Sequence, residues 1–143
     1  MKRQQSTTTD NTTRSEPTPE QALTQLQAAL LTLKNSGDEG FEGLAAALLG
    51  AATGMTFRLA ISGTQDGQDG RGDQRDGAIS FEAKLYRSKL AKSAVTYKAT
   101  EIVASDDPPD LWILAATIGA SSQIVTTLRA AFAKVDTSLL VLD

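Results

Sequence analysis

The chain has 143 residues, 41% of them apolar, and carries 14 Lys and Arg against 17 Asp and Glu for a net charge of −3; this is one domain's length, sufficient for a core of its own. Cysteine and histidine are both absent, which excludes disulfides, thiolate zinc sites, cysteine nucleophiles, imidazole ligands and Ser-His-Asp chemistry. If the protein is an enzyme, carboxylates, lysine and a hard, oxygen-preferring cation are what remain. No stretch approaches the roughly 20 apolar residues that span a bilayer, and the polar N-terminus lacks the apolar centre of a signal peptide. An intracellular protein with no membrane partner is expected.

Residues 1–17 are rich in Gln, Ser, Thr and Asn without apolar periodicity, which predicts a disordered tail. Thr18 then caps a helix expected over 19–35, with Pro19 at its first position and Gln21 completing a capping box. Leu23, Leu26, Leu30 and Leu33 give it one apolar stripe, read as packing on the core rather than on a second copy. A second helix, 40–52, buries Phe41, Leu44, Ala45, Leu48, Leu49 and Ala52, and Glu42 in its first turn complements the helix N-terminus.

Residues 55–62 alternate as a strand with Phe57, Leu59 and Ile61 on one face. A loop rich in Gly and Asp follows, with residues 71–77 as the tip of a hairpin. Residues 78–84 read as a strand, 88–104 as a helix, and the Asp- and Pro-rich 105–110 as a break. The apolar run 111–117 is a central strand buried on both faces. Ser121 caps a helix over 122–134, and 138–142 is a last strand. Trp112 and Tyr97 are expected in the core. The order predicts an α/β fold, a three-layer α/β/α sandwich around a mixed sheet.

The chemistry concentrates between Gly63 and Arg87. Strand side chains at i and i+2 share a face, so Glu82 and Lys84 point to the same side. A short hairpin can bring a loop aspartate beside Glu82. Asp66, Asp69, Asp73 and Asp76 all compete for that place. Two carboxylates suit Mg²⁺, which takes one or two from a protein and leaves its other positions to water and phosphate. The Ala83 carbonyl is a further possible ligand. From Ala83 to Thr100 there is no acid, while Lys84, Arg87, Lys89, Lys92 and Lys98 form a basic run, suited to a phosphate backbone or simply to solvent.

Phe41-Glu42, Gly63-Thr-Gln65, Gln68-Asp69-Gly70-Arg71 and Phe81-Glu82-Ala-Lys84-Leu-Tyr86 together resemble the PD-(D/E)xK restriction-endonuclease-like superfamily over residues 40–143. The resemblance is strongest to its Mrr-type branch and to N-terminal nuclease effector domains of bacterial antiphage STAND or NACHT ATPases. It implies that Glu42, Asp69 and Glu82 bind Mg²⁺ (Mn²⁺ as substitute), that Lys84 is catalytic, and that Asp69 is favoured over Asp66. It further implies a nuclease domain over 18–143 acting on double-stranded DNA with low sequence specificity. Arg71, Arg87, Lys89, Lys92 and Gln65 would contact the DNA. The setting would be bacterial cytoplasm, with homo-oligomerisation through a downstream ATPase or sensor region. The rival expectations are a non-catalytic α/β DNA-binding or oligomerisation module, and a nuclease of the same fold acting on RNA or branched DNA.

Overall fold

The structure, a computed structural model, describes residues 16–60, 68–75 and 77–143. In chain order these form α1 (Pro19–Leu30), α2 (Phe41–Thr53), β1 (Arg58–Leu59), β2 (Gly70–Gln74), β3 (Gly77–Lys84), α3 (Lys92–Val103), β4 (Leu111–Ala116), α4 (Ser122–Phe132) and β5 (Ser138–Leu142). The strands lie side by side in that order in one sheet, antiparallel from β1 to β3 and parallel from β3 to β5. This is the mixed sheet within an α/β/α sandwich that the sequence predicts.

The apolar pattern explains the layers. β4 reads L-W-I-L-A-A because both of its faces are covered. Trp112 and Leu114 join Val95, Ala99 and Ile102 of α3 and Ile124, Leu128 and Phe132 of α4. Trp112 and Phe132 meet with ring centroids 5.0 Å apart. On the opposite face Ile113 and Ala115 join Phe81 and Ala83 of β3 and Phe41, Ala45 and Leu49 of α2. Each large side chain so buried contributes about 1.5–3 kcal/mol. The α4 stripe falls at i, i+4 and i+8, and Ser121 Oγ accepts from the Ile124 N–H at 3.3 Å to start that helix.

Several sequence expectations need correction. The capping box of α1 forms as predicted, but the helix ends at Leu30 and buries no residue. Leu23 and Leu26 stand 66% and 55% exposed; Leu30 and Leu33 touch the α2-side core. Of the strand expected over 55–62, only Arg58–Leu59 is one, with Ile61 and Ser62 outside the described residues. The expected hairpin tip is largely a strand: Gly70–Gln74 pairs with β3 on one side, and its first two residues pair with β1 on the other. The helix expected from residue 88 begins at Lys92, because the chain after β3 first drops Leu90 into the core. Tyr97 lies on the surface, 63% exposed, while Trp112 is fully buried; in α2 only Phe41, Ala45 and Leu49 are buried, and Leu48 and Ala52, expected in the core, are exposed.

Candidate active site

β3 carries the site. Its register with β4 pairs Ser80 with Trp112, Glu82 with Leu114 and Lys84 with Ala116, so Glu82 and Lys84 share the face covered by α3 and α4. Glu82 has no exposed surface. Its Oε1 forms an ion pair with the Lys84 ammonium, and its Oε2 has no hydrogen-bond partner among the described residues. Burial, then the charge of Asp69, pushes its pKa up from 4.5 to about 7, against the opposing pull of Lys84 and Lys98. Burial alone would lower the Lys84 pKa, but Glu82 and Asp69 outweigh it and the pKa is raised. Lys84 is therefore a cation here.

Asp69 is placed by the sheet rather than by its own loop. Its N–H donates to the Phe81 carbonyl at 2.8 Å and its carbonyl accepts from the Ala60 N–H at 2.8 Å. Asp69 Oδ2 accepts from the Ala83 N–H at 2.8 Å, replacing the ladder bond that β2 no longer supplies there. Asp69 thus bonds to the two neighbours of Glu82 in β3, through its N–H to Phe81 and through its carboxylate to Ala83. Ala83 itself is buried against α2.

Glu42, at the start of α2, reaches back so that Oε2 accepts from the Gly37 N–H at 3.0 Å. Burial raises its pKa, the Gly37 bond lowers it, and the charges of Asp69 and Lys84 both act on it. The fold thus gathers Glu42, Asp69, Glu82 and Lys84 into one electrostatic neighbourhood. Among the described residues no three carboxylates are close enough together to hold a single metal ion. The sheet holds Asp69 against the strand that bears Glu82, and the charge of Asp69 acts on both Glu82 and Glu42. A buried carboxylate with one oxygen unpartnered, beside a second acid, is the kind of oxygen site that a divalent cation stabilises.

The other residues implicated by sequence scatter. Arg71 spends its guanidinium within the protein: Nε donates to Asp73 Oδ1 at 2.7 Å, and Nη1 and Nη2 to the carbonyl and Oδ2 of Asp107 at 2.8 and 2.7 Å. Arg87 Nη2 donates to the Leu31 carbonyl at 3.1 Å. Lys89 and Lys92 are exposed just beyond the end of β3. Gln65, Asp66 and Asp76 lie outside the described residues. Thr117, which sequence reading passed over, holds the end of β3. Its N–H donates to the Lys84 carbonyl at 3.1 Å, while its hydroxyl accepts from the Tyr86 N–H at 3.0 Å and donates to the Tyr86 carbonyl at 2.9 Å. The signal available was a hydroxyl directly after a buried strand. Lys98 acts on Glu82 from α3 and pairs with Glu101 at 3.4 Å.

No protein-family profile matches the chain. It is 33% identical over 81 residues to the uncharacterized protein y4cD of Sinorhizobium fredii (strain NBRC 101917 / NGR234), a match over 56% of this chain and 13% of that protein. Among solved structures it is similar to the MspJI restriction endonuclease in complex with a 27-mer oligonucleotide, with a TM-score of 0.55 and 16% identity over 89% of this chain and 30% of that one. The chain therefore spans well under half the length of each, and the second likeness is one of fold: a restriction-endonuclease-like α/β sandwich.

Proposed function

We propose that the chain is a metal-dependent endonuclease that hydrolyses phosphodiester bonds of double-stranded DNA with little sequence specificity. The observation that carries this is the fully buried Glu82, paired with Lys84 on one strand face, with Asp69 bonded to the next residue of that strand, Ala83. Asp69 and Glu82 would hold Mg²⁺, with the Ala83 carbonyl and Glu42 as adjoining oxygen groups. Bound there, the ion supplies neutralisation of phosphate charge, an activated water and stabilisation of the leaving oxygen.

The chain's own groups prepare that chemistry. Glu82, protonated up to about pH 7 without a cation, presents a carboxylate oxygen to one once that proton is lost. Lys84, kept protonated by its neighbours, sits on the same strand face as a donor for a non-bridging phosphate oxygen and for the attacking water. Asp69, bonded to the Ala83 N–H, cannot drift from the strand it serves. The sequence resemblance supports a wider role as the effector domain of a bacterial antiphage protein, acting in the cytoplasm and oligomerising through other regions.

The test is plasmid cleavage. With Mg²⁺ or Mn²⁺ the purified chain should nick or linearise plasmid, EDTA should stop it, and Lys84→Ala should lower the rate roughly a hundredfold or more. Cleavage that survives Asp69→Ala with Glu82→Ala would overturn the assignment. DNA binding without metal-dependent cleavage would favour the non-catalytic module.

A further inference from the structure

Past the ends of β3 and β4 a cleft of about 840 Å³ opens between the segment leading into α3 and the segment leading into α4. That volume lies within the range of ligand sites, roughly 300–1,000 Å³. Its charged lining residues are Lys89 and Lys92, with no Asp or Glu among them; the carboxylate beside the α4 wall, that of Asp143, is engaged by the Ala120 N–H at 2.8 Å. No carboxylate pairs with either lysine among the described residues. No acid stands in the first turn of α3 or of α4. The floor is aliphatic, with Leu90 and Ile124 each 4% exposed. Two cations above an aliphatic floor suit a phosphate attached to a sugar better than a bare anion or a purely apolar ligand.

The place of the cleft says which phosphate. One wall begins at Ser88, shortly after Lys84, and the other at Ile118, directly after Thr117. The three hydrogen bonds of Thr117 to Lys84 and Tyr86 fasten the two walls to the strand end that bears the site. We propose that the cleft seats a sugar-phosphate unit of the DNA strand flanking the scissile bond, its phosphate on Lys89 and Lys92 and its sugar over Leu90 and Ile124. The strand's identity rests on the nuclease reading; the ligand chemistry rests on the cleft.

A fluorescent duplex is titrated with the chain over a range of salt concentrations, with Ca²⁺ in place of Mg²⁺ and the duplex checked for integrity. Lys89→Gln with Lys92→Gln should make the slope of log Kd against log salt shallower by about 1, because the one phosphate the two lysines share contributes about one unit. Ser93→Glu should weaken binding about tenfold or more, yet leave the melting temperature unchanged or higher, since an acid in the first turn of α3 favours the helix. Wild-type affinity and salt slope in both variants overturn the proposal. Displacement of the duplex by an equal concentration of free nucleoside monophosphate overturns its assignment to a DNA strand. Should the variants behave as expected while Mg²⁺ yields no cleavage by the unaltered chain, the cleft stands and the nuclease reading falls.

Discussion

A carboxylate with no exposed surface must be neutralised, paired or bound to a cation, and Glu82 has one lysine on Oε1 and no partner for Oε2 among the described residues. Its folded pKa of about 7 lies above the ordinary 4.5, so the folded chain holds this proton more tightly than the unfolded one. The stability it contributes is complete below pH 4.5 and lost as pH rises through 7. The loss is on the order of 3 kcal/mol. Denaturant titrations of metal-free protein should show stability falling over that window. Glu82→Gln should flatten much of the fall, leaving the smaller part in the same direction from Glu42, whose pKa is also raised. A wild-type stability that stays level across that window would refute the burial argument. Asp69 supplies part of the upward push. Asp69→Asn keeps an acceptor for the Ala83 N–H and removes the charge, so the Glu82 midpoint, read by carboxyl NMR, should move below 7.

At the scale of elements, legibility in the sequence followed how local the cause was. The start of α1 was readable because Thr18, Pro19 and Gln21 make the cap themselves. Its packing was not, since a leucine stripe shows which residues share a face but not whether anything covers it. β4 and α4 were readable because burial imposes an apolar pattern at every position or every turn. β2 was hidden: Gly70-Arg-Gly-Asp-Gln74 has no strand-forming residue, and its composition answers to a neighbour. A Cβ on Gly70 would run into the Phe81 ring, which is fully buried and edge-on to Phe57 with centroids 5.8 Å apart. Gly70→Ala should therefore cost about 1–3 kcal/mol and disturb Asp69 next to it. Leu26→Ala on exposed α1 should change stability by no more than about 0.5 kcal/mol, against about 3–5 kcal/mol for Phe132→Ala. Thermal melts of the three variants order these costs, and a Gly70→Ala protein as stable as wild type would remove the steric account of β2. Of the site, the Glu82 and Lys84 face followed from strand alternation. The preference for Asp69 among four aspartates came from the family resemblance, because the spacing of a glycine-rich loop does not show which carboxylate reaches the Ala83 N–H, as Asp69 does in the fold.

For the whole molecule, the two halves of the sheet have different tasks. The parallel half, β3 to β5, is packed by α3 and α4 on the face that carries Glu82 and Lys84. The antiparallel half brings Asp69 up against β3. The site lies on their common strand, so a cation held by Asp69 and Glu82 ties the halves together and should stabilise the fold as a unit. A ligand that binds only the folded chain adds RT ln(1 + [L]/Kd), about 2.7 kcal/mol at a hundredfold excess over Kd. For a domain of this size that is a rise in melting temperature of roughly 5–10 °C. Because the cation must displace the proton that Glu82 retains up to about pH 7, the rise should be large above that pH and small well below it. Glu82→Gln should abolish it, and Lys84→Ala, which removes the competing ammonium, should leave or enlarge it. Calorimetry with Mg²⁺ and Mn²⁺ on either side of pH 7 measures all of this. Equal shifts at both pH values, or a shift that persists in Glu82→Gln, would place the cation elsewhere on the chain.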